Sequence, residues 1–192
     1  MLEEQYKFIP NFLDEKTLNH LNTKFKENLM TARASFDEST VVGRSYNIYN
    51  FLPAVNVLCQ KTSIVSKLID EDVLPTYAFI RRYCNGSKLQ EHKDRRSCEI
   101  SLTINLDSDL SWEFKLRKND EIVSLTQNPG DAILYIGCDL SHFRESYNGS
   151  YYDQLFLHYV RYDGPNADTF FDLDNIRMTI FKMMNNINKQ KT

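Results

Sequence analysis

From about residue 75 to residue 162 the chain reads as a train of short β-rich runs separated by turn formers. That rhythm limits the folds open to it more than any other feature. The runs are Tyr77 to Cys84, Cys98 to Leu106, Ser111 to Leu116, Glu121 to Leu125, Ala132 to Ile136 and Gln154 to Tyr162. Between them stand Asn85-Gly86, Asp107-Ser108-Asp109, Lys118-Asn119-Asp120, Pro129-Gly130 and Asn148-Gly149. Gly supplies positive φ, Pro pre-sets its own, and Asn and Asp bond back to their own backbone. Many short strands at such spacing suggest a sandwich or a jelly roll.

The flanks are patterned differently. Phe8-Ile-Pro-Asn-Phe-Leu13 is strand-like and leads to Asp14, an N-cap for a helix with Leu18, Leu21, Phe25 and Leu29 on one face. This helix should lie against a sheet, and His20 on it should cap or pack. The stretch from Val41 to Phe51 is extended. A second helix, roughly 55 to 70, carries Val57, Ile64, Leu68 and Ile69 on its apolar side. After a Gly164-Pro165 break, Asp174 to Lys189 returns to helical spacing, with a stripe that either packs internally or pairs two subunits, so a homodimer stays open. With 192 residues, 42% of them hydrophobic, the expectation is one domain, 1-192. It divides into a helical and strand lead-in (1-74), a β core (75-162) and a helical tail (163-192).

Composition narrows the function classes. A net charge of -3 gives no basic surplus for neutralising phosphates, which disfavours a nucleic-acid partner. No basic stretch runs into an apolar one at the amino terminus, and no 18 apolar residues follow in succession, so no membrane partner and a cytoplasmic location are expected. Cys59, Cys84, Cys98 and Cys138 form no Cys-x-x-Cys pair and read as reduced thiols.

The chemistry concentrates on His92-Lys93-Asp94 and on His142. Two neutral imidazoles and one carboxylate on one face of an octahedron leave the opposite face open, as Fe(II) needs to take up a co-substrate and O2 together. The His-x-Asp pair alone says little: with 26 acids and four histidines in the chain, chance supplies one in roughly half of such sequences. Its setting says more. Residues two apart on a strand point to one face, which would let His92 and Asp94 reach a single ion, with His142 arriving from another strand. In Ile100 to Leu106 apolar Ile100, Leu102, Ile104 and Leu106 alternate with polar Ser101, Thr103 and Asn105, whose face is either solvent or a pocket lining. His158 is a rival to His142. Trp112, Phe114 and Leu116, at period two, read as core. Arg81, Arg82, Arg95 and Arg96 read as solvated charge balanced by Glu91 and Glu99, or as a positive rim for an acidic substrate.

The order of strand tyrosine, glycine turn, His92-x-Asp94, Trp112-Glu-Phe hairpin, Pro129-Gly-Asp131 strand and distal His142 resembles the core of the 2-oxoglutarate- and Fe(II)-dependent dioxygenases. The prolyl 4-hydroxylase-like branch is the nearest in pattern, and Ile9-Pro-Asn-Phe-Leu13 with its helix looks like that branch's lead-in. The resemblance implies a mainly β chain with flanking helices (α+β), its double-stranded β-helix core (a cupin-like jelly roll) packed against N-terminal helices. It implies iron ligands His92, Asp94 and His142 with no further catalytic side chain, and Tyr83 near bound 2-oxoglutarate. The implied reaction is hydroxylation of a small-molecule or peptide substrate, a prolyl or other amino-acid residue included, with 2-oxoglutarate and O2 as co-substrates and release of succinate and CO2. The family's usual cation, about nine to eleven residues beyond the distal His, is missing: Gly149-Ser-Tyr-Tyr-Asp-Gln154 holds none. Arg144 is the nearest substitute for the far carboxylate, unless it pairs with Glu145 or Asp139 on the surface. Tyr152, Gln154 and Thr103 are the neutral candidates beside it. Two other readings keep the fold: a non-catalytic jelly-roll binding domain, and a metal-dependent cupin enzyme that does not use 2-oxoglutarate.

Overall fold

The computed structural model describes residues 5–31 and 34–172; the helix expected from Asp174 to Lys189 lies outside the described residues. In chain order the elements are β1 (Tyr6–Ile9), α1 (Glu15–Met30), β2 (Ser35–Ser39), β3 (Gly43–Tyr49), α2 (Leu52–Ile69), β4 (Val73–Cys84) and β5 (Leu89–His92). They continue with β6 (Ile100–Ser108), β7 (Phe114–Lys118), β8 (Glu121–Leu125), β9 (Ala132–Ile136), β10 (Ser141–Arg144) and β11 (Tyr151–Arg161). The strands form two antiparallel sheets, one in the order β1-β9-β6-β11-β4-β3-β2 and a smaller one in the order β5-β10-β7-β8. This is the expected jelly-roll core with helices against one side.

Local chemistry accounts for the helices. Asp14 Oδ1 accepts a hydrogen bond from the Thr17 backbone N–H at 2.8 Å, which satisfies one of the donors a helix start leaves open. Leu21 and Phe25 then bury completely. Helix α2 starts with Pro53 in its first turn and ends on Asp70 in the left-handed region, φ 59°. Its buried face is Ala54, Val57, Leu58, Val65 and Ile69. Ile64, expected on that face, is instead 42% exposed, and His20 is exposed on α1. Both stripes cover the outer face of the large sheet, which presents Ile100, Leu102, Ile104 and Leu106 of β6 and Leu155, Leu157 and Tyr159 of β11.

Because side chains alternate along a strand, the other face of the same strands turns toward the small sheet. Ser101, Thr103 and Asn105 lie there, at most 1% exposed, so the polar face of β6 lines an interior and does not meet solvent. Beside them stand Tyr152, Gln154, Phe156 and His158 of β11, opposite Tyr83, Arg81, Phe79 and Tyr77 of β4. Phe114 and Leu116 of β7 close one end against Ile133 and Tyr135, and Trp112 is buried with Tyr83, Tyr147 and Tyr152. Strands β5 and β10, four residues each, are legible in the sequence only as motif positions. No helix among the described residues is long and apolar enough to cross a membrane.

Candidate metal centre

Strand pairing places two of the three donors. β5 and β10 run antiparallel with His92 directly opposite His142, and the ring centroids are 4.3 Å apart. Asp94 arrives by a different route from the one its spacing suggests. β5 ends at His92, so alternation along a strand does not bring Asp94 to the site. Its backbone N–H donates to the Gly137 carbonyl at 2.9 Å, just beyond β9, and the Ser101 hydroxyl donates to Oδ2 at 2.9 Å. A Cβ on residue 137 would collide with Asp94 Oδ2 and with the Cys98 carbonyl, so the close approach requires glycine there.

The three donors converge. Asp94 Oδ1 lies 3.7 Å from His92 Nε2 and 3.5 Å from His142 Nε2, and one ligand atom from each residue falls within 4.8 Å of the others. An ion with bonds of about 2 Å fits among atoms so spaced. Backbone carbonyls orient both imidazoles. Nδ1 of His92 faces the Gln90 carbonyl at 2.8 Å, and Nδ1 of His142 faces the Leu140 carbonyl at 3.0 Å. A carbonyl can only accept, so each Nδ1 carries the proton and each Nε2 turns a lone pair to the site. Burial, reinforced by the charge of His142, holds the His92 pKa below its usual value, which favours the neutral, ligating form. Burial pushes the Asp94 carboxyl up, yet the adjoining imidazoles of His142 and His158 and the hydrogen bond from Ser101 outweigh it, leaving a carboxylate more acidic than usual. The donor set fits a divalent ion that accepts nitrogen and oxygen ligands.

A cavity of about 170 Å³ adjoins these donors, lined from both sheets. Side-chain exposure falls from 35% at His92 to 13% at Asp94 and 2% at His142, so the His92 side is the mouth. Arg144, on the same face of β10 as His142, is also 2% exposed and lines the deep end. It does not pair on the surface with Glu145 or Asp139. Its Nη1 donates to the Trp112 carbonyl at 2.6 Å, its Nη2 reaches Gln127 Oε1 at 3.3 Å, and the guanidinium lies over the Trp112, Phe114 and Tyr152 rings. No carboxylate faces it among the described residues. The Tyr152 hydroxyl and Gln154 Oε1 are buried nearby without hydrogen-bond partners, while Gln154 Nε2 donates to Thr103 Oγ1. Tyr83, 1% exposed, lines the cavity.

The remaining candidates separate cleanly. Asp94, Cys98 and His158 form a second donor group that shares Asp94, but Cys98 is paired with the Tyr77 hydroxyl at 3.0 Å and burial pushes its thiol up to about 12. His158 Nδ1 meets the Ser101 hydroxyl at 2.9 Å, beside Asp94, and its ring lines the same cavity as His92 and His142. The four arginines near the motif do not share one environment. Arg82 turns away to a bidentate pair with Asp153, and Arg96 pairs with Asp168. Arg95 lies over the Tyr77 ring. Glu91 and Glu99, expected to balance these arginines, pair instead with Arg117 and Arg161. Arg81 alone of the four lines the cavity, on the inward face with Tyr77, Phe79 and Tyr83; that period-two spacing is the signal for it. Gly137 carries no sequence signal, because its demand comes from Asp94, remote in the chain.

Solved structures share this architecture. A prolyl-4-hydroxylase from Pseudomonas putida superposes with a TM-score of 0.68 at 11% identity, over 83% of this chain and 94% of that one. A protein of the 2OG-Fe(II) oxygenase family from Burkholderia pseudomallei gives 0.68 at 15%, over 84% and 88%. The chain has the fold of the 2-oxoglutarate- and Fe(II)-dependent oxygenases. HygX from Streptomyces hygroscopicus, solved with nickel, 2-oxoglutarate and hygromycin B, gives 0.66 at 10%, over 82% and 83%. No protein-family model and no curated protein matches the sequence.

Proposed function

We propose that this protein is an Fe(II)- and 2-oxoglutarate-dependent oxygenase that hydroxylates a C–H bond of its substrate, with His92, Asp94 and His142 as the metal ligands and Arg144 as the partner of the far carboxylate of 2-oxoglutarate. One observation carries the reading. A two-histidine, one-carboxylate donor set opens onto a cavity whose deep end holds a buried guanidinium that has no counter-ion among the described residues. A buried charge without a partner is costly, and an anionic ligand supplies the missing one. The planar fork of Arg144 matches a carboxylate, with the Tyr152 hydroxyl and the Thr103–Gln154 pair as neutral neighbours and Tyr83 on the adjacent wall. Fe(II) together with 2-oxoglutarate and O2 would supply the oxidation, ending in succinate and CO2.

The chain's own residues prepare the site. Leu140 and Gln90 hold the imidazole tautomers, Ser101 holds the carboxylate, and Tyr83, Phe114 and Tyr135 line the cavity beside Arg144. The open side next to His92 offers an approach for the substrate. Anaerobic addition of Fe(II) and then 2-oxoglutarate should produce a visible charge-transfer absorption that is lost in His92→Ala. A wild-type protein that binds Fe(II) but yields neither that absorption nor, once O2 is admitted, succinate would favour a cupin-type reaction instead. One that binds no Fe(II) would favour a binding domain.

A further inference from the structure

The cavity holds one more cation than the co-substrate needs. The near carboxylate of 2-oxoglutarate belongs to the metal and the far one needs a single partner, for which Arg144 serves. Arg81 is the second guanidinium of the cavity lining, and it is a built feature. Its Nε donates to Asn47 Oδ1 at 2.6 Å, and Asn47 is fixed in turn through its Nδ2 to the Ser45 hydroxyl at 3.3 Å. Asn47 and Ser45 are both buried. The guanidinium lies over the Phe79 and Tyr83 rings, 4.8 and 5.4 Å from their centroids. Among the described residues no carboxylate pairs with it and its two Nη groups make no hydrogen bond, so the fork is held from behind with its donor edge unused.

The neighbouring row of the same sheet is aromatic. Tyr49, Phe79 and Phe156 stand opposite one another across β3, β4 and β11, one inward position along from Arg81, with centroids 4.3 and 5.7 Å apart. Tyr49 is 55% exposed, which puts this row at the open side. We infer that Arg81 and this ring row form the substrate site, and that the substrate is an organic acid whose carboxylate lies on Arg81 and whose flat apolar body lies along Tyr49, Phe79 and Phe156. The inference rests on the oxygenase reading for the assignment of Arg144 to 2-oxoglutarate. A guanidinium recognises a carboxylate bidentately, and ring faces favour a planar partner.

The test uses the full chain loaded with Zn(II), a diamagnetic stand-in for Fe(II), and 2-oxoglutarate. Two probes are titrated by ligand-observed NMR: 3-phenylpropionate and its uncharged amide. The acid should bind and the amide should bind at least roughly tenfold more weakly, as loss of a hydrogen bond to a charged group implies. Arg81→Gln should erase that preference while changing 2-oxoglutarate affinity less than about twofold, and Arg144→Gln should do the reverse. Equal binding of acid and amide, or binding of neither, overturns the inference. So does an Arg81→Gln protein that loses 2-oxoglutarate as severely as Arg144→Gln, because both arginines then clasp the co-substrate. Failure of the wild type to bind 2-oxoglutarate at all is a separate result, and it overturns the oxygenase reading itself.

Discussion

At the scale of single residues, the site depends on atoms that no motif names. Gly137 is the sharpest case, since the space a side chain would occupy there is filled by the Asp94 carboxylate. Gly137→Ala should lower divalent-metal affinity by at least roughly tenfold and cost about 1–3 kcal/mol of stability through overpacking; Mn(II) titration by EPR and thermal melts of the apo protein would show both. Arg144 makes the opposite prediction. Arg144→Leu should weaken 2-oxoglutarate binding by roughly 10- to 100-fold, yet leave apo stability within about 1 kcal/mol, because a desolvated charge is removed together with its hydrogen bonds. A large loss of apo stability with intact 2-oxoglutarate affinity would make Arg144 structural. The types of the donors, His92, Asp94 and His142, are legible in the sequence. That Asp94 leaves the strand and is held by the Gly137 carbonyl is not, because a two-residue spacing describes both a strand and a turn.

At the scale of elements, the short strands β5 and β10 carry both histidines and are themselves clipped in place. Arg117 of β7 holds Glu91 of β5 with two hydrogen bonds, 2.6 and 2.8 Å, and Ser141 of β10 donates to the same carboxylate at 2.9 Å. These partners, Arg117 first, pull the Glu91 pKa down to about 2. A carboxyl more acidic folded than unfolded adds stability above its unfolded pKa of about 4.5 and loses it as pH falls toward its folded value. Stability against urea should therefore fall between about pH 4.5 and pH 2 in the wild type, and the portion due to this clip should be absent in Arg117→Met. The helices depend on burial instead. Phe25→Ala on α1 should cost about 3–5 kcal/mol, whereas Ile64→Ser on α2, at an exposed position, should stay within about 0.5 kcal/mol; denaturant melts compare the two. The periodicity of α1 identifies its buried face. That of α2 points one position astray, because Ile64 and Val65 are both apolar and only contact with the sheet chooses between them.

At the scale of the whole molecule, the donors join elements far apart in the chain: β5, the segment beyond it, and β10 of the small sheet, braced by Ser101 of the large one. A bound ion should therefore stabilise the entire fold. At a hundredfold excess over its dissociation constant it adds about 2.7 kcal/mol, seen as a higher melting temperature with Mn(II) that vanishes in His142→Ala. The same geometry gives the molecule a closed deep end at Arg144 and an open side at His92 and Tyr49, so co-substrate and substrate would occupy different depths of one cavity.

Short-range periods and turn chemistry are enough to specify the β-rich core, its turns, the alternation of β6 and the residue types able to bind a metal, so the order of amino acids alone carries all of these. Three other facts exist only once the chain is packed: the polar face of β6 points inward, Arg144 is buried without a carboxylate among the described residues, and Arg81, alone among four neighbouring arginines, faces the cavity. They depend on which strands pair and in what register. Pairing joins residues such as Arg81, Asn47 and Gln154 that share no local pattern, and so leaves no trace in any short window of the chain.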